Sequence, residues 1–209
     1  MSGRYPIPHL APHSLHRTEC LIKRSRFITS LAHSPDAASA RAFVERIARE
    51  FPDATHNCWA FAAGAPGHTA AVGFSDDGEP HGTAGRPMLT VLLHSSVGEI
   101  AAVVTRYFGG IKLGTGGLVR AYQSCIQECL ESLPLHERII PAYLDIVIEY
   151  PFVTPLQRLL PQFEACIERE EFGADASFRL RLPQEHVAAF TAALTNLTDG
   201  NALIELCQA

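Results

Sequence analysis

The sequence predicts an α+β chain of two domains, and three observations carry the prediction. The run IAAVV at Ile100–Val104 is continuous and rich in β-branched residues, which reads as a strand buried on both faces. From Ala142 onward the segments follow the order strand, helix, strand, strand, helix, strand, the split βαβ or ferredoxin-like arrangement. The charge changes at the same place. Residues 1–138 carry 13 Lys and Arg against 12 Asp and Glu, whereas residues 139–209 carry 4 against 10. The predicted domains are therefore 1–138 and 139–209.

Composition bounds the class. Of 209 residues, 47% are hydrophobic and 19% charged, enough to build a packed core and too apolar for a disordered chain. No apolar run is long enough to span a bilayer. The start, MSGRYPIPHLAPHSLHR, has neither an apolar h-region nor a cleavage-like site, so the expected location is the cytoplasm with no membrane partner. The cysteines at 20, 58, 125, 129, 166 and 207 form no CxxC pair and read as reduced, mostly buried thiols. Cys125 and Cys129 share a helix face but lack the two further ligands that a metal usually needs. With a net charge of −5, the whole chain is no general nucleic-acid coat, so any anion must meet a local patch in the first domain.

The elements follow in order. A Pro/His-rich leader reads as loose to about Ser14, and HRTECLIKRSRFITSLAH as extended structure interrupted near KRSR. SPDAASARAFVERIAREF has a capped start and helical spacing of Phe43, Val44, Ile47 and Ala48. HNCWAFAAG reads as a strand and GFSDDGEPHG as a turn-rich loop. TAGRPMLTVLLHS is a helix if Pro87 lies in its first turn, and TGGLVRAYQSCIQECLESL is a longer one. LPLHERIIP reads as a linker before the second domain.

The candidate site lies in RYFGGIKLGTGGLVRAY, Arg106–Tyr122, where five glycines fall within nine residues. GTGG at Gly114–Gly117 echoes GTAG at Gly82–Gly85, 32 residues earlier, and each opens a predicted helix. In each, a threonine can cap while its glycines let a ligand approach the first-turn amides, which favour an anion. If both helices lie on one sheet, the two starts face one cavity. The predicted anion or nucleic-acid contacts are Lys23, Arg26, Gly82, Thr83, Gly85, Arg106, Gly109, Gly110, Lys112, Gly114, Thr115, Gly116, Gly117 and Arg120. Neither loop is a nucleotide fingerprint. The closing Lys-Ser or Lys-Thr of a P-loop is missing, and Val119 stands where GxGxxG needs its third glycine. The same glycines also serve as tight strand-to-helix turns.

Asp76, Asp77 and Glu79 form an acidic run that could hold Mg²⁺ or move protons, or equally make a turn with a paired glutamate. His56, Cys58 and His81 match no compact zinc spacing. Cys58, mid-strand beside Trp59, reads as a structural thiol rather than a nucleophile. No GxSxG elbow is present. No cofactor or metal is expected.

KRSRFI at 23–28, GFSDDGEPHGTAGRPML at 73–89 and VVTRYFGGIKLGTGGLVRAY at 103–122 closely resemble the bacterial, YigZ-like branch of the IMPACT family. The resemblance implies a first domain like the second domain of ribosomal protein S5, two helices against a four-stranded sheet. It also implies a second domain like a ferredoxin-like module of elongation factor G. Eukaryotic members are translational regulators that carry an added N-terminal RWD domain; the segment before Lys23 has no room for one. Three readings follow. One is a non-catalytic translation-related protein that binds RNA or the ribosome through its glycine-rich basic face, with Tyr107 and Phe108 available to stack. Another is an enzyme on a small phosphorylated ligand that uses Asp76, Asp77 and Glu79. The third is a protein-docking adaptor.

Overall fold

The computed structural model describes residues 3–207, which divide into one compact unit of residues 5–137 and a second of residues 138–207 with Gly3 and Arg4. The first unit is built on a five-stranded antiparallel sheet. Its strands are β2 (His16–Ile22), β3 (Ser25–His33), β4 (His56–Ala62), β5 (Val72–Ser75) and β6 (Ile100–Tyr107), in the spatial order β2-β3-β6-β4-β5. β6 is the central strand, and every residue from Ile100 to Arg106 is buried, as its unbroken apolar run predicts.

Helices cover both faces of this sheet. α1 (Ala37–Glu50) lays Ala40, Phe43 and Ile47 on the face presented by Phe61, Ala101 and Val103. Asp36 caps it through the amide of Ser39, and Ser39 answers in a capping box. α2 (Gly85–His94) and α3 (Thr115–Glu131) pack side by side on the other face, where Met88, Leu92, Leu118, Tyr122 and Ile126 meet Phe27, Leu31, Ala102 and Val104. The resemblance implies two helices and four strands. The additional helix is α1, whose apolar stripe covers Phe61, Ala101 and Val103 on the second face of the sheet.

The second unit has β8 (Pro141–Ile148), α4 (Val153–Leu159), β9 (Cys166–Phe172), β10 (Ala176–Pro183), α5 (Val187–Leu197) and β11 (Leu203–Cys207). Its antiparallel sheet runs β11-β8-β10-β9, the ferredoxin-like order. β8 alternates in burial along its length, putting Leu144, Ile146 and Ile148 on the core against Leu156, Phe190 and Leu194. On the opposite side of β8 and β10, Arg179 grips Asp145 with two hydrogen bonds of 2.8 and 2.7 Å, holding that carboxyl down at about 2.

Two readings of the sequence are corrected here. The leader contains β1 (Arg4–Pro8), and the supposed linker contains β7 (Leu135–Ile139); the two pair as a two-stranded ribbon. Prolines hide the first strand, and the second is exposed at every position, so neither shows a burial period.

One glycine of the motif is fixed by packing alone. A Cβ on Gly109 would lie 1.9 Å from the carbonyl oxygen of Arg24, in the turn between β2 and β3. Gly109→Ala therefore forces that hairpin away from the loop after β6, and a loss of roughly 1–3 kcal/mol is expected in urea denaturation, with the m-value unchanged. A midpoint equal to that of the wild type would contradict this contact.

Candidate functional site

β6 ends by delivering Arg106 into the interior, where the residue is 5% exposed. A guanidinium in that position must be paired. Glu79 meets it: Arg106 Nη1 donates to Glu79 Oε1, and Nη2 lies 3.3 Å from Ser25 Oγ. Tyr122 Oη donates to the same Glu79 oxygen at 2.9 Å, which ties the second turn of α3 into the pair. Burial, then the neighbouring Cys58, drives the Tyr122 phenol far above its ordinary range, so it remains a donor. The Phe27 and Phe108 rings lie 5.4 and 5.7 Å from the Arg106 guanidinium carbon. Arg106 Nε is buried without an acceptor among the described residues.

The acidic run does not assemble as one site. Asp76 accepts from the amides of Gly82 at 2.8 Å, Ala84 at 3.0 Å and Gly85 at 2.8 Å. Burial opposes its charge, but those three amides outweigh burial and hold its pKa below the ordinary 3.8. Asp77 accepts from the Asn57 amide at 2.6 Å, and Glu79 is spent on Arg106 and Tyr122. Among the described residues no group of three His, Cys, Asp or Glu is arranged to hold a metal ion. Cys58 is buried, its sulfur 2.9 Å from the Asp76 carbonyl and 3.3 Å from Tyr122 Oη; burial pushes it up to about 12, so it offers no thiolate nucleophile.

The two glycine loops therefore differ in kind. At the start of α2 the anion is built in, because the Asp76 carboxylate occupies the amides that Gly82–Gly85 were expected to offer a ligand. Gly85 is there for packing, since a Cβ would lie 2.6 Å from the Ser75 carbonyl oxygen. Thr83 does not cap; its hydroxyl donates to the Pro80 carbonyl, and Ala84 stands at the cap position. At α3, Gly114 is the cap residue at φ +74°, Thr115 is the first helical residue, and no side chain caps the start. Leu118 is the first to bond back, to the Gly114 carbonyl at 2.9 Å, which leaves the amides of Thr115, Gly116 and Gly117 without side-chain partners.

β5 and β6 run the same way in the sheet, so both helix starts rise from one end of it. A hollow of about 370 Å³ there is lined by Glu79 and Pro80 ahead of α2, by Gly114 and Thr115 of α3, and by His56, Arg106, Phe108 and Lys112. A second hollow of about 280 Å³ is lined by Lys23, Gly117 and Arg120, and Leu113 borders both. Lys23, Lys112 and Arg120 thus surround the first turns of α3, and none of them makes an ion pair among the described residues. Arg26 is different, since it holds Glu19 with bonds of 2.7 and 2.8 Å and lies over the Tyr107 ring. Its charge is already answered. Gly110 adopts φ +84° in the loop between β6 and α3, and a Cβ on Gly116 would meet only the end of Arg120.

Sequence reasoning passed over two participants. His56 enters the sequence reading only beside Cys58 and His81, and Tyr122 only as the end of the glycine-rich stretch. The sole signal for His56 is its place at the start of β4, in register with Arg106 across the sheet. Its Nδ1 lies 2.7 Å from the Asp77 carbonyl, which can only accept, so in the neutral ring the lone pair falls on Nε2. For Tyr122, nothing in the motif tells a buried phenol from a buried phenylalanine.

An antiparallel sheet covered by helices on both faces, with an uncapped helix start beside Lys23, Lys112 and Arg120 at one end, joined to a ferredoxin-like unit, defines a two-domain α+β protein. The chain belongs to the IMPACT family: the Impact N-terminal domain matches residues 23–130, and a domain of unknown function, DUF1949, matches residues 146–201. It is 46% identical to IMPACT family member YigZ of Escherichia coli strain K12, over 86% of this chain and 88% of that one. It is 41% identical to an IMPACT family member of Haemophilus influenzae, over 96% and 97% of the two chains, and 35% identical to IMPACT family member YvyE of Bacillus subtilis, over 90% and 85%. A crystal structure of a hypothetical protein, 41% identical, matches all of this chain and 98% of its own, with a TM-score of 0.65. No helix among the described residues is long and apolar enough to cross a membrane.

The internal cap gives a pH-dependent prediction. Asp76 titrates lower folded than unfolded, so its stabilisation is complete above the unfolded value near pH 4 and is lost as pH falls through the folded value. Asp76→Ala should cost about 1–2 kcal/mol at pH 7, and the gap from wild type should narrow below pH 3. A gap constant from pH 7 to pH 2 would count against the carboxylate as the cap.

Proposed function

We propose that this chain is a non-catalytic, translation-related protein that binds RNA or the ribosome through the face around the start of α3. The observation that carries the reading is the contrast between the two helix starts. One is neutralised by Asp76, whereas the other has no capping side chain and is ringed by Lys23, Lys112 and Arg120. Backbone amides and unpaired cations around one helix start are how proteins commonly hold phosphate groups.

The tip of the β2–β3 hairpin supports the same reading. Lys23 and Arg24 both sit at positive φ, +46° and +65°, where Asn-Gly is the usual choice. Backbone strain of that kind clusters at functional sites. The likeness to translational regulators of the same family points the same way. The carboxylates of the acidic run are each engaged by protein groups, which weighs against an enzyme that would use them as its acid and base.

Fluorescence anisotropy of labelled single-stranded and structured RNA across a salt series tests the proposal. Three or four neutralised phosphates of a single strand give a log–log salt slope of about −2 to −3. The double substitution Lys112→Glu/Arg120→Glu should abolish that binding. A flat salt response, or equal binding by the double variant, contradicts the proposal, and no binding by either protein favours a protein-docking adaptor.

A further inference from the structure

We infer that the hollow at the start of α3 receives one splayed nucleotide, its phosphate on the helix start and its base against Phe108, so that the face selects single-stranded over duplex RNA. The inference rests on the proposal that this face meets RNA, and it specifies which part of the RNA enters.

Size and lining carry the argument. The hollow, about 370 Å³, lies at the small end of ligand pockets, which run from roughly 300 to 1,000 Å³. That admits one nucleotide and excludes a helix of stacked pairs. Lys112, Gly114 and Thr115 line it at the uncapped start of α3, a combination suited to a phosphate. Phe108 is 47% exposed, an apolar ring left at the edge of a hollow rather than in the core, and available to stack on a base.

An independent sign of a ligand is buried in the same hollow. Arg106 lines it, is 95% buried, and keeps one donor, Nε–H, without an acceptor among the described residues. An unsatisfied buried donor is costly, and an acceptor brought by a ligand relieves it. His56 lines the hollow as well, with Nδ1 committed to the Asp77 carbonyl and Nε2 3.9 Å from Glu79 Oε2. An unmet donor beside an aromatic face complements an acceptor on a base edge or a ribose hydroxyl.

The test uses the full chain and a labelled single-stranded RNA hexanucleotide, with competition by adenosine 5′-monophosphate, adenosine, inorganic phosphate and a short RNA duplex. Adenosine 5′-monophosphate should displace the strand and bind saturably by itself, with adenosine and inorganic phosphate each at least about tenfold weaker. Phe108→Ala should weaken both the mononucleotide and the strand by about tenfold or more, and Phe108→Tyr should restore them. Because Phe108 is half exposed, the alanine variant should fold. Strand binding with no competition by the mononucleotide overturns the inference while leaving RNA binding on this face intact. Equal competition by inorganic phosphate, or a duplex that binds as tightly as the strand, overturns it too. Mononucleotide binding that depends on Phe108 without any strand binding supports the hollow and identifies its source as a free nucleotide, against the RNA proposal. Failure of every probe overturns both.

Discussion

The buried pair of Arg106 and Glu79 is the constraint on which the arrangement of this face depends. A guanidinium at the end of a strand covered on both sides has to be answered, and Glu79, in the segment after β5, answers its charge. Once Glu79 is drawn in, residues 76–80 are fixed across the end of the sheet. Asp76 then reaches the start of α2, and Tyr122 bonds the same glutamate from α3. A buried ion pair is weak evidence for stability, since its desolvation cost rivals its attraction. Its contribution here is positional, because one carboxylate links a strand, a loop and a helix.

Two loops of nearly the same sequence are thereby put to different physical uses. GTAG closes on its own aspartate, and its final glycine exists because the helix start lies against the backbone of Ser75. GTGG opens, like GTAG, on a glycine at φ +74°, but no side chain caps the helix start that follows. Around it the cations are unpaired, whereas Arg26 and Arg106, from the same stretches of sequence, are already neutralised by glutamates. Counting basic residues therefore overstates the charge offered to a ligand. The cations beside GTGG that make no ion pair among the described residues are Lys23, Lys112 and Arg120.

Where burial imposes a period, the sequence was legible. The β6 run, the Phe43 and Ile47 spacing of α1 and the βαββαβ order of the second unit all state their structure openly. The β1–β7 ribbon could not be read, because prolines and full exposure erase any alternation. At the candidate site, glycine density and neighbouring cations singled out both loops alike, and which helix start was already satisfied depended on Asp76, 8 residues before Ala84 and reachable only after folding. The threonines misled for a related reason. Thr83 found a carbonyl closer than the amides, and Thr115 entered the helix one residue past its cap. His56 joins the hollow through strand register, which no local motif encodes.

The most direct measurement is an amide NMR titration of the ¹⁵N-labelled chain with a short single-stranded RNA. Saturable shifts at Thr115, Gly116 and Gly117, with Gly82 and Gly85 unmoved because Asp76 already holds that loop, are the result this account predicts. Equal movement of both loops, or movement confined to the Gly82–Gly85 loop, would contradict it.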